Sequence, residues 1–157
     1  MLHRSHVLEG FALSLALLFG ASFVQADILA DDIDLSSFDD LQLPAPIDTQ
    51  LAVIQQIGLA NEASIHQQGQ GLLGVVAQTG SDQEAFILQQ GSQNLALINQ
   101  AGVSNSAFID QAGAYNQAAI EQAGAYNTAR IEQNGDALQS TIKQYGSSQN
   151  VVVRQYR

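Results

Sequence analysis

The chain has no cysteine, no tryptophan, two prolines and only 6% aromatic residues. Without cysteine it carries no disulfide staple and no thiolate chemistry, although secretion stays open. Both prolines, Pro44 and Pro46, lie early, so no later residue denies a backbone ladder its N–H for want of a donor. Positive charge is scarcer still: five Lys and Arg stand against fifteen Asp and Glu, a net charge of -10, and between Arg4 and Arg130 there is no base at all. Four bases near the end, with no aromatic platforms alternating among them, are too few for a nucleic-acid groove. His66 is the only histidine beyond His3 and His6, and no lysine follows the glycines as a phosphate loop would require. The aspartates lack the D-x-[DN]-x-[DN]-G spacing of a calcium loop. No enzyme activity, cofactor or metal site is expected.

What is present is repetition. The glutamines Gln56, Gln67, Gln78, Gln89, Gln100, Gln111, Gln122, Gln133, Gln144 and Gln155 follow one another at intervals of eleven residues without insertion or deletion. Two residues before each stands Ile54, Ile65, Val76, Ile87, Ile98, Ile109, Ile120, Ile131, Ile142 or Val153, and four residues before it a small residue, most often alanine. Two residues after it comes glycine, from Gly58 to Gly146, until Arg157 takes that place in the tenth unit. The unit reads N/Q-x-A-x-I-x-Q-x-G.

On an α-helix these positions would scatter around the axis and share no apolar face. On a strand all of them fall on one side, because side chains alternate with period two. Glycine is poor in a helix interior and suits a tight bend that needs positive φ. The expected fold is all-β: a cross-β-like β-solenoid of five strand-turn-strand coils, 50–71, 72–93, 94–115, 116–137 and 138–157, each unit a strand of about six or seven residues and a turn. Residue i then stacks on residue i+22. The twenty Ile, Val and Gln positions form the core ladder, and amides in register bond to the copies above and below.

Residues 1–26 carry Arg4 near the front and an apolar run from Phe11 to Val24 broken by Ser14, Gly20 and Ser22. That pattern is expected of a secretory signal peptide cut after Ala26, not of a spanning anchor. From 27 to 49 the period is missing and seven aspartates stand with no base, among Ile33, Leu35, Phe38, Leu41 and Leu43. We read this stretch as a flexible acidic segment that addresses the chain to a secretion partner.

Outward positions vary from coil to coil, and recognition has to be written there. On the first sheet Leu51, Val53, Leu73, Val75, Leu95 and Leu97 form an aliphatic face, expected to meet a partner or to be covered by residues 28–43. Arg130, Lys143, Arg154 and Arg157 form a basic end suited to surface attachment. Stacking puts Glu121 against Lys143 and Glu132 against Arg154, leaving Arg130 and Arg157 the freer cations. The repeats run to the end of the sequence with no atypical cap, which fits a fibre subunit or its seed.

The pattern A-x-I-x-Q-x-G in five 22-residue units, behind a signal and a short lead and with Leu72-Leu73-Gly74-Val75-Val76-Ala77-Gln78 in the second coil, resembles the curlin-repeat family of curli amyloid fibres on Gram-negative bacteria. It is most similar to the family's minor, nucleating branch. The ladder residues that match are Asn94, Ala96, Ile98 and Gln100 with their counterparts, whereas Leu72 and Leu138 stand at the asparagine position. The resemblance implies export through the periplasm and an outer-membrane secretion channel with accessory proteins. It also implies attachment at the outer membrane, templating of the major curlin subunit and self-association into an extracellular fimbrium that serves adhesion and biofilm. The alternatives are the major subunit itself, which would be richer in Gly and Tyr, and an ice- or carbohydrate-binding solenoid, which would need a regular Thr ladder or aromatic row.

Overall fold

The computed structural model describes residues 13–17 and 49–157, and all its regular elements there are strands. Strand β1 is Leu13–Leu17; β2 is Leu51–Leu59, β3 Glu62–Gln70, β4 Leu73–Ser81, β5 Glu84–Ser92 and β6 Leu95–Val103. Then follow β7 Ser106–Ala114, β8 Gln117–Ala125, β9 Thr128–Asn134, β10 Gln139–Ser147 and β11 Asn150–Tyr156. Two sheets result, β1-β2-β4-β6-β8-β10 and β11-β9-β7-β5-β3. From β2 onward every pairing is parallel and joins residue i to residue i+22, from Leu51↔Leu73 to Tyr156↔Asn134. The chain is thus the expected β-solenoid of five coils. Leu72 and Leu138 shift nothing: the strands after both keep the register.

Of the segments read as signal and lead, 1–12 and 18–48 lie outside the described residues. Strand β1 lies antiparallel on the edge of β2, from Leu13↔Ile57 to Leu17↔Val53, the one antiparallel pair among the described residues.

The core is the narrow space between the sheets. Ile87, Ile98, Ile109, Ile120 and Ile131 are fully buried, with Ala85, Ala96, Ala107, Ala118 and Ala129 beside them. Large and small residues alternate along each strand, which lets two sheets approach closely enough to exclude water. In the second coil Gly74 replaces the alanine, and a methyl there would stand 2.8 Å from Ile65 Cγ2.

The strands are longer than the sequence suggests, nine residues in most cases, because they continue through the glycine into the corner. The bend needing a left-handed residue comes two positions later, at Ala60, Asp82, Gln93, Ser104, Tyr115, Tyr126, Ala137 and Ser148, with φ of 53–57°. Each such residue sits in a conformation that disfavours side chains by about 1 kcal/mol. From Asp82 onward it is held there by its N–H, which bonds the preceding coil, as Tyr126 N does to Val103 O at 3.0 Å. Glycine's own position is fixed by something else. Gly102 has φ of +123°, and a Cβ on it would lie 1.9 Å from the carbonyl oxygen of Gly124 in the next coil. The corners stack backbone on backbone.

Gly102→Ala should therefore meet both torsional strain and a collision with the coil above, lowering stability by roughly 2–4 kcal/mol. A Cβ at Gly146 meets only Gln149 Nε2 at 3.7 Å, so Gly146→Ala should carry the torsional cost alone, about 1 kcal/mol. Chemical denaturation of the two variants measures the difference; equal losses would refute the stacking account.

Candidate functional site: stacked ladders and outer faces

Buried in a dry space, a primary amide has to find partners for two N–H groups and an oxygen. The glutamines do so along two directions. Up the first sheet, Nε2 of Gln56 donates to Oε1 of Gln78, then Gln78 to Gln100, Gln100 to Gln122 and Gln122 to Gln144, at 2.6–2.8 Å. Up the second sheet Gln67, Gln89, Gln111, Gln133 and Gln155 repeat the chain at 2.9 Å. The second proton crosses between sheets: Gln100 Nε2 donates to Glu84 O at 3.0 Å and Gln111 Nε2 to Leu95 O at 3.0 Å. The ladder is visible in the sequence; this clip across the core is not.

Asparagines guard the corners. Asn94 Nδ2 donates to Gly113 O at 3.0 Å, and its Oδ1 accepts from Asn116 N at 2.9 Å. Asn105, Asn116 and Asn127 make the same pair of contacts. Gln83 stands in this row with one methylene too many. Its Nε2 turns back to Thr79 O at 3.1 Å and its Oε1 is buried with no hydrogen-bond partner.

The core ladder residues named from sequence are brought together as two continuous stacks, buried in the middle coils, with Gln56, Gln67, Gln155 and Val153 half-buried at the two ends. The aliphatic face divides. Leu73, Val75 and Leu97 are buried, while Leu51, Val53 and Leu95 are half-buried against them.

The basic residues are more engaged than the sequence suggests. Lys143 lies 3.2 Å from Glu121, and Arg154 Nε donates to Glu132 at 2.8 Å, as the stacking implied. Arg130, however, is not free. It donates to Glu132 two residues along the same strand face, and its guanidinium lies 4.0 Å from the centroid of Phe108. Period-two geometry makes that i, i+2 contact possible, and the distance-22 reasoning overlooked it. Of the four bases, Arg157 alone has a side chain with no partner among the described residues. Sequence reasoning also missed the outward column on the second sheet, where Phe86 and Phe108 stack at 5.2 Å and His66 stacks diagonally on Phe86 at 6.2 Å. Two phenylalanines 22 residues apart were the available signal.

Three carboxyls feel this surface. A hydrogen bond from Tyr145 Oη, with help from Lys143, holds Glu121 below the ordinary 4.5. Hydrogen bonds from Arg130 and Arg154 do the same for Glu132. Asp110, stacked on Glu132, is raised above 3.8 by burial and then by that neighbouring charge, with Arg130 partly offsetting both.

Two measurements follow from these contacts. Gln83→Asn should gain the Asn105 N–H and Gly102 O contacts that its neighbours make and remove an unpaired oxygen. Stabilisation of about 1–2 kcal/mol is expected, read by chemical denaturation. For the carboxyls the linkage runs in opposite senses. Depressed Glu121 and Glu132 contribute stability that is complete above 4.5 and lost as pH falls through their lower folded values. Raised Asp110 opposes folding at neutral pH and ceases to do so as pH falls through its folded value toward 3.8. Asp110→Asn should thus stabilise the fold at pH 7 and make no difference at pH 3, whereas Glu132→Gln should destabilise it at pH 7. Stability that responds identically to pH in both variants would contradict the assignment.

A family model described as Curlin associated repeat matches the chain five times, at residues 58–91, 84–113, 91–124, 102–134 and 124–156. No curated protein and no solved structure matches it significantly. The matches overlap into one run from residue 58 to residue 156, which takes in the stacked glutamines from Gln67 to Gln155 and the corner asparagines, and on that coverage the chain belongs to the curlin-repeat family.

Proposed function

We propose that this chain is a nucleating subunit of a curli-type amyloid fibre: secreted, held at the outer membrane by its last coil, and templating polymerisation of a major curlin subunit. The supporting observation is that one uninterrupted ladder has two unlike ends. Coils one to four repeat the stacking corner faithfully, with Gly58, Gly80, Gly102 and Gly124 each within Cβ-clashing distance of the next glycine. The last coil departs from that pattern. Arg157 takes a glycine place, Val151 a small-residue place, and Val151 and Val152 are 37% and 47% exposed. A coil of that kind suits contact with something other than another copy of the repeat. Its bases give it the charge for an anionic surface, whether lipid headgroup or polysaccharide, or for an accessory protein.

Growth would then begin at the first coil. The amide ladder is directional: each Nε2 donates toward the C-terminal end, so Oε1 of Gln56 and Gln67 faces away from the array as an acceptor for an incoming coil. In the uncut chain β1 lies on the edge of β2. Removal of residues 1–26 as a signal peptide would bare that edge, and an open strand edge is a template for pairing. Residues 27–49 serve as the address read by the outer-membrane channel, and self-association into fibres follows from the family.

Truncation after Gly135 removes Lys143, Arg154 and Arg157 and leaves four coils of ladder. It should release protein into the medium that still seeds purified major subunit at sub-stoichiometric ratio, followed by thioflavin fluorescence. A truncated chain that stays fully cell-bound would remove the anchoring role; one that is released but inert would remove the nucleating role. Glu substitutions at Arg154 and Arg157 should weaken attachment, and the wild-type attachment should weaken with added salt, because exposed charges are screened over roughly 8 Å at physiological ionic strength. Deleting 27–49 behind an intact signal should hold the chain in the periplasm while the purified product still polymerises.

A further inference from the structure

The outer face of the first sheet is buried where an open sheet should be wet. Val75 points away from the core, alternating with the inward Gly74 and Val76, yet it is 1% exposed. Leu73 is 4% and Leu97 5% exposed, and every residue of β4 from Leu73 to Gln78 is buried. Along the column of Val53, Val75, Leu97, Ala119 and Thr141, burial is deepest at the second coil, stays deep at the third, and gives way to half-burial at Val53 and Ala119 and to full exposure at Thr141. Neighbours in the sheet cannot do this. On the opposite sheet Phe86 and Phe108 occupy the matching column, stack on one another, and remain half-exposed. A strand buried on both faces has a layer on both faces. Among the described residues no strand lies over this face, since β1 pairs with β2 within the plane of the sheet.

We propose that the outer face of the first sheet, centred on Val75, is a docking surface for the chain's own lead, residues 27–49. The lead is joined directly to β2 through Gln50, on the sheet concerned. At about 3.3 Å per extended residue its reach far exceeds the roughly 10–15 Å across three coils. Its sequence suits the surface: Asp32-Ile33-Asp34-Leu35 and Leu41-Gln42-Leu43 alternate polar and apolar residues, so one side can meet Leu73, Val75 and Leu97 while the aspartates stay in water. The covered coils carry no outward charge on this sheet to repel those aspartates, the outward neighbours being Gln55, Ala77 and Asn99. Taking such side chains out of water favours docking over a loose lead.

Docking has a functional consequence that rests on the export reading above. Once the first three coils form, the apolar residues of the lead are hidden, so recognition by an export partner and folding of those coils exclude each other.

The chain has no cysteine, which makes thiol labelling clean. In mature protein, residues 27–157, Val75→Cys is assembled, sheared to short lengths and exposed to a maleimide. Thr128→Cys, at an exposed position, and Ile98→Cys, in the core, set the fast and slow limits. Cys at 75 should label at least tenfold more slowly than at 128, and should approach the fast limit when Leu35, Phe38 and Leu41 are all replaced by serine or when 27–49 is deleted. The Ile98→Cys probe remaining slow shows that the coils persist; if deletion alone speeds it, the serine variant decides. Fast labelling at 75 in the intact mature chain overturns the proposal, as does slow labelling that survives both lead variants, which would assign the cover to a second copy. None of these readings uses seeding, secretion or attachment, so failure here leaves the nucleator reading untouched, and the reverse holds.

Discussion

A primary amide with nowhere to go but another amide is the constraint on which this structure depends. Gln78, Gln89, Gln100, Gln111, Gln122, Gln133 and Gln144 are each at most 2% exposed. Leaving one N–H or carbonyl unpaired in such a place costs about 1–3 kcal/mol. A slip of one residue would turn every glutamine out and every charged outward residue in. A slip of a whole unit is prevented by the winding, because neighbouring units lie on opposite sheets. Only a displacement of 22 residues restores all the bonds, and that is the pairing the sheets adopt. Isoleucine supplies apolar burial without direction; glutamine supplies the direction.

Because Gln67 and every ladder glutamine after it also donate to the backbone of the opposite sheet, the two sheets are clipped as well as packed. Gln100 reaches Glu84 O and Gln89 reaches Leu73 O, so the separation of the sheets is set at every level by an amide of fixed length. The alanine opposite follows from that separation. A methyl fits there in most coils, nothing larger than hydrogen fits at Gly74, and Ser140 answers the same space with a hydroxyl that donates to Gln155 Oε1 at 2.6 Å. Packing, hydrogen bonding and register are therefore one specification, repeated until the last coil, where Val151 stands in the small slot and the specification loosens.

The repetition made the coil count, the register and the identity of inward residues legible before any coordinates, since each followed from two periodicities, eleven and two. What stayed hidden was whatever those periodicities do not encode. The left-handed position falls on a glycine at one corner, Gly71, and on non-glycine residues at the other eight, among them Tyr115 and Tyr126, so composition gave no sign of it. Glycine drew attention to itself, but its reason lay in a contact with the coil above and not in the bend. The Arg130–Glu132 pair and the stacked Phe86 and Phe108 belong to the outward surface, where neighbours along one strand compete with neighbours 22 residues away. Sequence spacing cannot rank such contacts; geometry can.

Outward and inward surfaces thus answer to different rules. An inward column must be identical or nearly so, because each member is the hydrogen-bond partner of the next. An outward column is free to change, and it does: Phe86 and Phe108 give way to Arg130, and Val53, Val75 and Leu97 give way to Ala119 and Thr141. Both changes fall between the third and fourth coils. The same boundary separates the segment without positive charge from the one that holds every base of the array. A solenoid whose core is uniform from end to end can therefore carry two distinct surfaces in series without any cost to its register. The subunit proposed above, held at one end and presenting a ladder at the other, would draw on both surfaces.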